Sequence, residues 1–114
     1  MSIHNGHRAR MKQRFAEHGA DVFDDHQLLE LLLFYAVPQG DVNPLAHRLM
    51  LRFGSFSGVL DASPSELRSV DGVGDHTALF LSLLPQIMRR YELSRQAGNC
   101  IIQSSADAGE YLLP

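Results

Sequence analysis

The sequence contains one cysteine, Cys100, and no tryptophan. A lone cysteine excludes an intrachain disulfide and any multi-cysteine zinc site. Cys100 has Arg95 nearby but no His or Lys to lower its pKa, so it reads as an inert or mildly exposed thiol. Long apolar runs are missing as well. The longest, Leu31 to Val37, is far short of a membrane span. No charged-then-apolar leader opens the chain, so a soluble, cytoplasmic protein with no membrane partner is expected. Cations are not in excess either. The net charge of −3 gives no global attraction to nucleic acid, and any surface for DNA must be local.

What is present suffices for a folded domain. Of 114 residues, 45% are apolar and 20% charged, which supports one small domain with a real core. The charges are unevenly spread. Four of the ten cations lie between Arg8 and Arg14, while Asp21 to Glu30 holds four acids and no Lys or Arg.

The most informative stretch runs from Leu67 to Ala78, with Gly72-Val73-Gly74 at its centre. Glycine takes positive φ without steric cost, so this triplet permits a turn too tight for most residues. The helix that follows would open with unpaired N–H groups and the positive end of its dipole, an anion site in the making. Leu67, Val70 and Val73 supply packing, and the small Ala78 permits close helix approach. The pattern is similar to a helix-hairpin-helix, a module that grips nucleic-acid backbone.

The rest of the chain reads as helices. One is expected from Asn5 to His18, with Met11 and Phe15 as its buried stripe. Arg8 and Lys12 fall on one side of that stripe, Arg10 and Arg14 on the other. These cations either snorkel around a small apolar contact or form a phosphate-contacting arm. Asp24 or Asp25 caps a second helix, with Gln27 placed for a capping-box variant. Its run Leu28 to Tyr35 is apolar on nearly every side, as at a core centre. Asn43-Pro44 starts a third helix, facing inward through Leu45, Leu49 and Phe53. Ser55 to Asp61 reads as a short helical turn. Ser63-Pro64-Ser65-Glu66 is a capping box, and the last long helix runs from Asp75 toward Ser94, kinked or split at Pro85. After Gly98 the character changes: Cys100 to Ile102 reads as a strand and Ser105 as the cap of a closing helix. The expected organisation is therefore a helical domain over 1–97 and the start of a second domain over 98–114. A faint repeat at an offset of 32 pairs Gly40 with Gly72, Asn43 with Asp75, Ala46 with Ala78 and Leu49 with Leu81. It suggests a degenerate second hairpin.

Together these residues resemble the amino-terminal domain of the RadC family. The matching stretches are Gly6 to Arg10, Gln27 to Phe34, Asp41 to Ala46, Arg52 to Ser55, Val70 to Gly74 and Tyr91 to Ser94, in family order across nearly the whole chain. The resemblance implies an all-α fold, a small helical bundle similar to the hairpin domains of RuvA and UvrC. It also implies a link to DNA repair and a following JAB-type, metalloprotease-like domain that carries zinc. None of that domain's metal motifs is present here, so these residues are expected to be non-catalytic and without a resident metal of their own. The resemblance also permits a monovalent cation at the hairpin.

If the hairpin binds DNA, the amides around Gly72, Val73 and Gly74, with His76 and Thr77 at the following helix start, would meet phosphates. Arg8, Arg10 and Arg14 would assist. No base-reading element is apparent, so contacts would be sequence-independent. One feature opposes this. Asp61 to Ala78 holds four acids against Arg68, a local net charge of −3, and Asp75-His76 stands where DNA-gripping hairpins usually carry Lys or Arg. A helix-packing turn or a protein-contact surface is the competing reading. Gly54-Ser55-Phe56-Ser57-Gly58 fails the serine-hydrolase pattern and follows a helix, not a strand. The six histidines show no ligand spacing.

Overall fold

The computed structural model describes residues 3–104, with side chains described for 6–98. Among the described residues every regular element is helical: α1 Ile3–His18, a 3-10 turn Ala20–Val22, α2 Asp25–Ala36, α3 Asn43–Phe53, α4 Phe56–Asp61, α5 Pro64–Arg68 and α6 Asp75–Ser104. The chain divides into two compact units, Met1–Ser82 and Leu83–Pro114. The division falls inside α6.

The core of the first unit forms around α2. Leu29 and Leu33 are wholly buried, with Leu31, Phe34 and Ala36 beside them, and the helix packs against α1, α3 and α4. Its apolar run is not buried on every side: Tyr35 is exposed, with the Lys12 ammonium 4.7 Å from its ring centre. On α1, Met11 is buried but Phe15 is half exposed. Phe15 lines a groove with Leu28, Leu31, Leu32, Tyr35 and Phe56.

Local chemistry sets most helix ends. Asp24 and Gln27 form the reciprocal capping box at α2, and Ser63 and Glu66 form another at α5. At α3 the cap differs from expectation. Asn43 is already helical, Val42 is the N-cap, and the Asp41 carboxylate accepts from the Asn43 backbone N–H at 3.0 Å. Ser55 caps α4 by accepting from the Gly58 N–H at 2.9 Å. A Cβ on Gly58 would stand 2.2 Å from the Phe53 carbonyl oxygen, so only glycine lets α4 approach α3 there. The Gly-Ser-Phe-Ser-Gly stretch is thus a cap and a close contact.

Of the two outcomes expected at Pro85, a split does not occur: α6 is one helix with Pro85 inside it. One expectation is corrected, since Cys100 to Ile102 is helical instead of a strand. A lone strand leaves its backbone groups unpaired, whereas a helix satisfies them internally; Gly98 inside it costs only about 1 kcal/mol relative to Ala. The expected closing helix from Ser105 lies outside the described residues.

The offset-32 repeat has a structural counterpart. Gly40 and Gly72 both take left-handed φ, 90° and 96°. Three residues after each glycine a helix begins, α3 at Asn43 and α6 at Asp75. Ala46 N–H donates to the Val42 carbonyl and Ala78 N–H to the Gly74 carbonyl, again 32 apart. Ala46, Ala78, Leu49 and Leu81 are all fully buried.

Candidate nucleic-acid interface

The turn between α5 and α6 is built from the backbone outward. The Val70 N–H donates to the Leu67 carbonyl and the Val73 N–H to the Val70 carbonyl, tightening the chain before Gly72 reverses it. The side chains of Leu67, Val70 and Val73 point into the core. Gly72 and Gly74 remain exposed, as do Asp75 and His76 at the start of α6. Thr77 is only 5% exposed, which removes its hydroxyl from the surface set.

The cations beside this turn come from α3. Arg48 Nε donates to the Asp71 carbonyl at 3.0 Å, and its Nη2 passes 2.9 Å from where a Gly72 Cβ would sit. Arg52 Nη1 donates to Ser69 Oγ at 2.7 Å, and that hydroxyl donates onward to the Glu66 carbonyl at 2.6 Å. Each guanidinium commits one of five N–H groups in these bonds and retains others for a ligand. Arg68 Nε lies 3.6 Å from the Asp75 carboxylate in an exposed pair. Counting Arg48 and Arg52 with the turn changes its local net charge from −3 to −1. The Glu66 carboxyl is held below its ordinary pKa, first by the Ser63 backbone N–H, then by the Ser63 hydroxyl and Arg52.

The basic stretch on α1 does other work. Arg8 is 7% exposed; its Nη1 donates to the Phe34 carbonyl at 3.1 Å and its Nη2 to the Gly40 carbonyl at 2.8 Å. Phe34 lies in the last turn of α2, where carbonyls have no intrahelical partner, so Arg8 caps that helix from outside. Beside it, His7 Nε2 lies 3.1 Å from the carboxylate of buried Glu30. Arg14 donates to the Val22 carbonyl at 2.7 Å and stacks over Phe23 at 4.8 Å. These contacts withdraw Arg8 from any phosphate-contacting set and tie Arg14 to the 3-10 turn. Arg10 stays exposed on α1.

The signal for the missed cations lay in spacing: Leu45, Arg48 and Arg52 share one face of α3 at i, i+3 and i+7. Leu45 Cδ1 lies 3.3 Å from the same virtual Cβ of Gly72, so that face meets the turn. Among the described residues no three His, Cys, Asp or Glu side chains gather to hold a metal. No described helix is long and apolar enough to cross a membrane.

These features define a small all-helical domain with two glycine-reversed helical turns, one of them flanked by arginines. The chain belongs to the UPF0758 N-terminal family, whose model matches residues 4–79. It is 38% identical over 94 residues to a UPF0758 protein of Fusobacterium nucleatum, covering 80% of this chain and 40% of that protein. A UPF0758 protein of Rhodobacter capsulatus is 40% identical over 94 residues, covering 82% and 44%. One from Ruegeria pomeroyi is 39% identical over 98 residues, covering 86% and 44%. The chain therefore spans about two fifths of the length of these relatives. No solved structure matches it.

Proposed function

We propose that this domain is a non-catalytic, sequence-independent DNA-binding module of a RadC-like, DNA repair-associated protein, acting to place a JAB-type domain on DNA. The observation that carries the reading is the delivery of Arg48 and Arg52 to the turn at Gly72. Backbone amides and the α6 dipole favour an anion there, and two guanidinium groups supply the charge that the turn's own sequence lacks. Gly72, Gly74 and His76 form the remaining contact surface, with Arg10 as an outlying contact; the Val73 N–H is taken by the Val70 carbonyl. A monovalent cation at the hairpin carbonyls is a further part of this reading. Zinc chemistry belongs to the JAB-type domain.

Fluorescence anisotropy with duplex, single-stranded and branched DNA, titrated against salt, tests this. Losing two phosphate contacts in Arg48→Ala/Arg52→Ala should flatten the log–log salt slope on duplex by about 1.8. Arg10→Ala, which removes one outlying contact, should change it by at most about 0.9. The residual negative charge from Asp71 and Asp75 favours a second reading, a protein-contact surface with no DNA binding of its own. Folded wild-type protein that binds none of these DNAs at low salt would establish that alternative and end the first.

A further inference from the structure

His26 and His47 are far apart in sequence, yet the packing of α2 on α3 brings their rings to a centroid separation of 5.2 Å at an interplanar angle of 77°. They share an open pocket of about 310 Å³ with Met50, Leu51 and Gly54. Met50 follows His47 by three residues and so shares its face of α3. The Asn43 Nδ2–H donates to His26 Nε2 at 3.1 Å, in an exposed bond. In that bond Nε2 is the acceptor, through the same lone pair an imidazole uses toward a metal.

From this cluster we infer a binding site for a soft or borderline d10 cation, Cu⁺ or Zn²⁺, with His26 and His47 as its imidazole ligands and Met50 as a thioether ligand for Cu⁺. The spacing supports it. A metal about 2.0–2.1 Å from an imidazole nitrogen lies about 3.2 Å from the ring centroid, so two imidazoles on one tetrahedral ion have centroids about 5 Å apart. The observed separation matches that figure. Displacing Asn43 from His26 breaks only a solvent-facing hydrogen bond. The ligand chemistry selects the metal. No carboxylate lines the pocket, which disfavours Mg²⁺ and Ca²⁺, while imidazole with thioether suits Cu⁺ best and imidazole with water suits Zn²⁺. Binding would tie the first turn of α2 to α3.

The test is competition against a chromophoric chelator, with Zn²⁺ and, under anaerobic reducing conditions, with Cu⁺. One equivalent of each metal should bind. His26→Ala and His47→Ala should each weaken both by at least about tenfold. Met50→Leu should weaken Cu⁺ alone. His4→Ala/His7→Ala should change neither. Circular dichroism confirms that each variant folds, and His47→Gln repeats the test where His47→Ala does not. Absence of saturable binding of either metal up to about 100 µM would overturn the site. So would binding that persists in His26→Ala/His47→Gln. Unchanged Cu⁺ affinity in Met50→Leu would remove the thioether from it.

Discussion

Gly72 and Gly74 look equivalent in sequence, and the structure makes them unequal. Gly72 has φ of 96°, and a Cβ there would press on Arg48 Nη2 at 2.9 Å and Leu45 Cδ1 at 3.3 Å. Gly74 has no positive φ, and a Cβ there would meet nothing within 4 Å. For Gly72→Ala, left-handed strain costs about 1–2 kcal/mol. Displacing Arg48 from the Asp71 carbonyl adds about 0.5–1.5 kcal/mol. Alanine's smaller unfolded-state entropy returns about 0.4–1 kcal/mol. The net destabilisation is therefore about 0.5–3 kcal/mol, centred near 2 kcal/mol, a fall in Tm of about 10 °C at that centre for a domain of this size. Gly74→Ala should stay within about 0.5 kcal/mol of wild type. Urea unfolding followed by circular dichroism, with thermal scans beside it, measures both. Equal stability of the two variants would refute the conformational argument. So would a Gly72→Ala variant whose Arg48-dependent salt response is untouched, since the same Cβ must move that guanidinium.

Three further outcomes follow from the packing. Arg8→Met leaves the Phe34 and Gly40 carbonyls without their donor, and chemical denaturation should show a loss of about 2–4 kcal/mol with no change attributable to a DNA contact. Ala46→Leu and Ala78→Leu both overfill fully buried positions 32 apart, and each should cost about 1–3 kcal/mol by urea titration; a large cost at only one would break the structural equivalence of the two turns. The Glu66 pKa is lowered on folding, so its carboxylate contributes stability above the ordinary value of 4.5 that is lost as pH falls through the lower folded value. Glu66→Gln should remove that acid-side dependence while keeping a side-chain acceptor for the Ser63 N–H, as read by Tm against pH.

What the amino-acid order determined by itself is the local punctuation. Asp24 with Gln27 and Ser63 with Glu66 satisfy helix N–H groups within four residues, so both starts were legible without a fold. The repeat at Gly40 and Gly72 was visible because a left-handed turn followed by a small buried residue needs the same residue types twice. Helical periodicity likewise placed Leu45 and Leu49 inside, whereas the Leu28 to Tyr35 run, apolar on nearly every side, gave no inward face of its own. Tertiary packing decided the fate of the charges. An arginine's spacing shows which face of a helix it occupies, not which carbonyl waits opposite. Arg8 therefore read as a phosphate contact until Phe34 and Gly40 came within its reach, and the shared face of Leu45, Arg48 and Arg52 acquired a meaning only once α3 lay beside the turn. The same holds for His26 and His47, which have no ligand spacing along the chain and meet only because α2 packs on α3. Short-range hydrogen bonds are written in neighbouring residues; long side chains find their partners across the sequence, and those partners exist only once the core has closed.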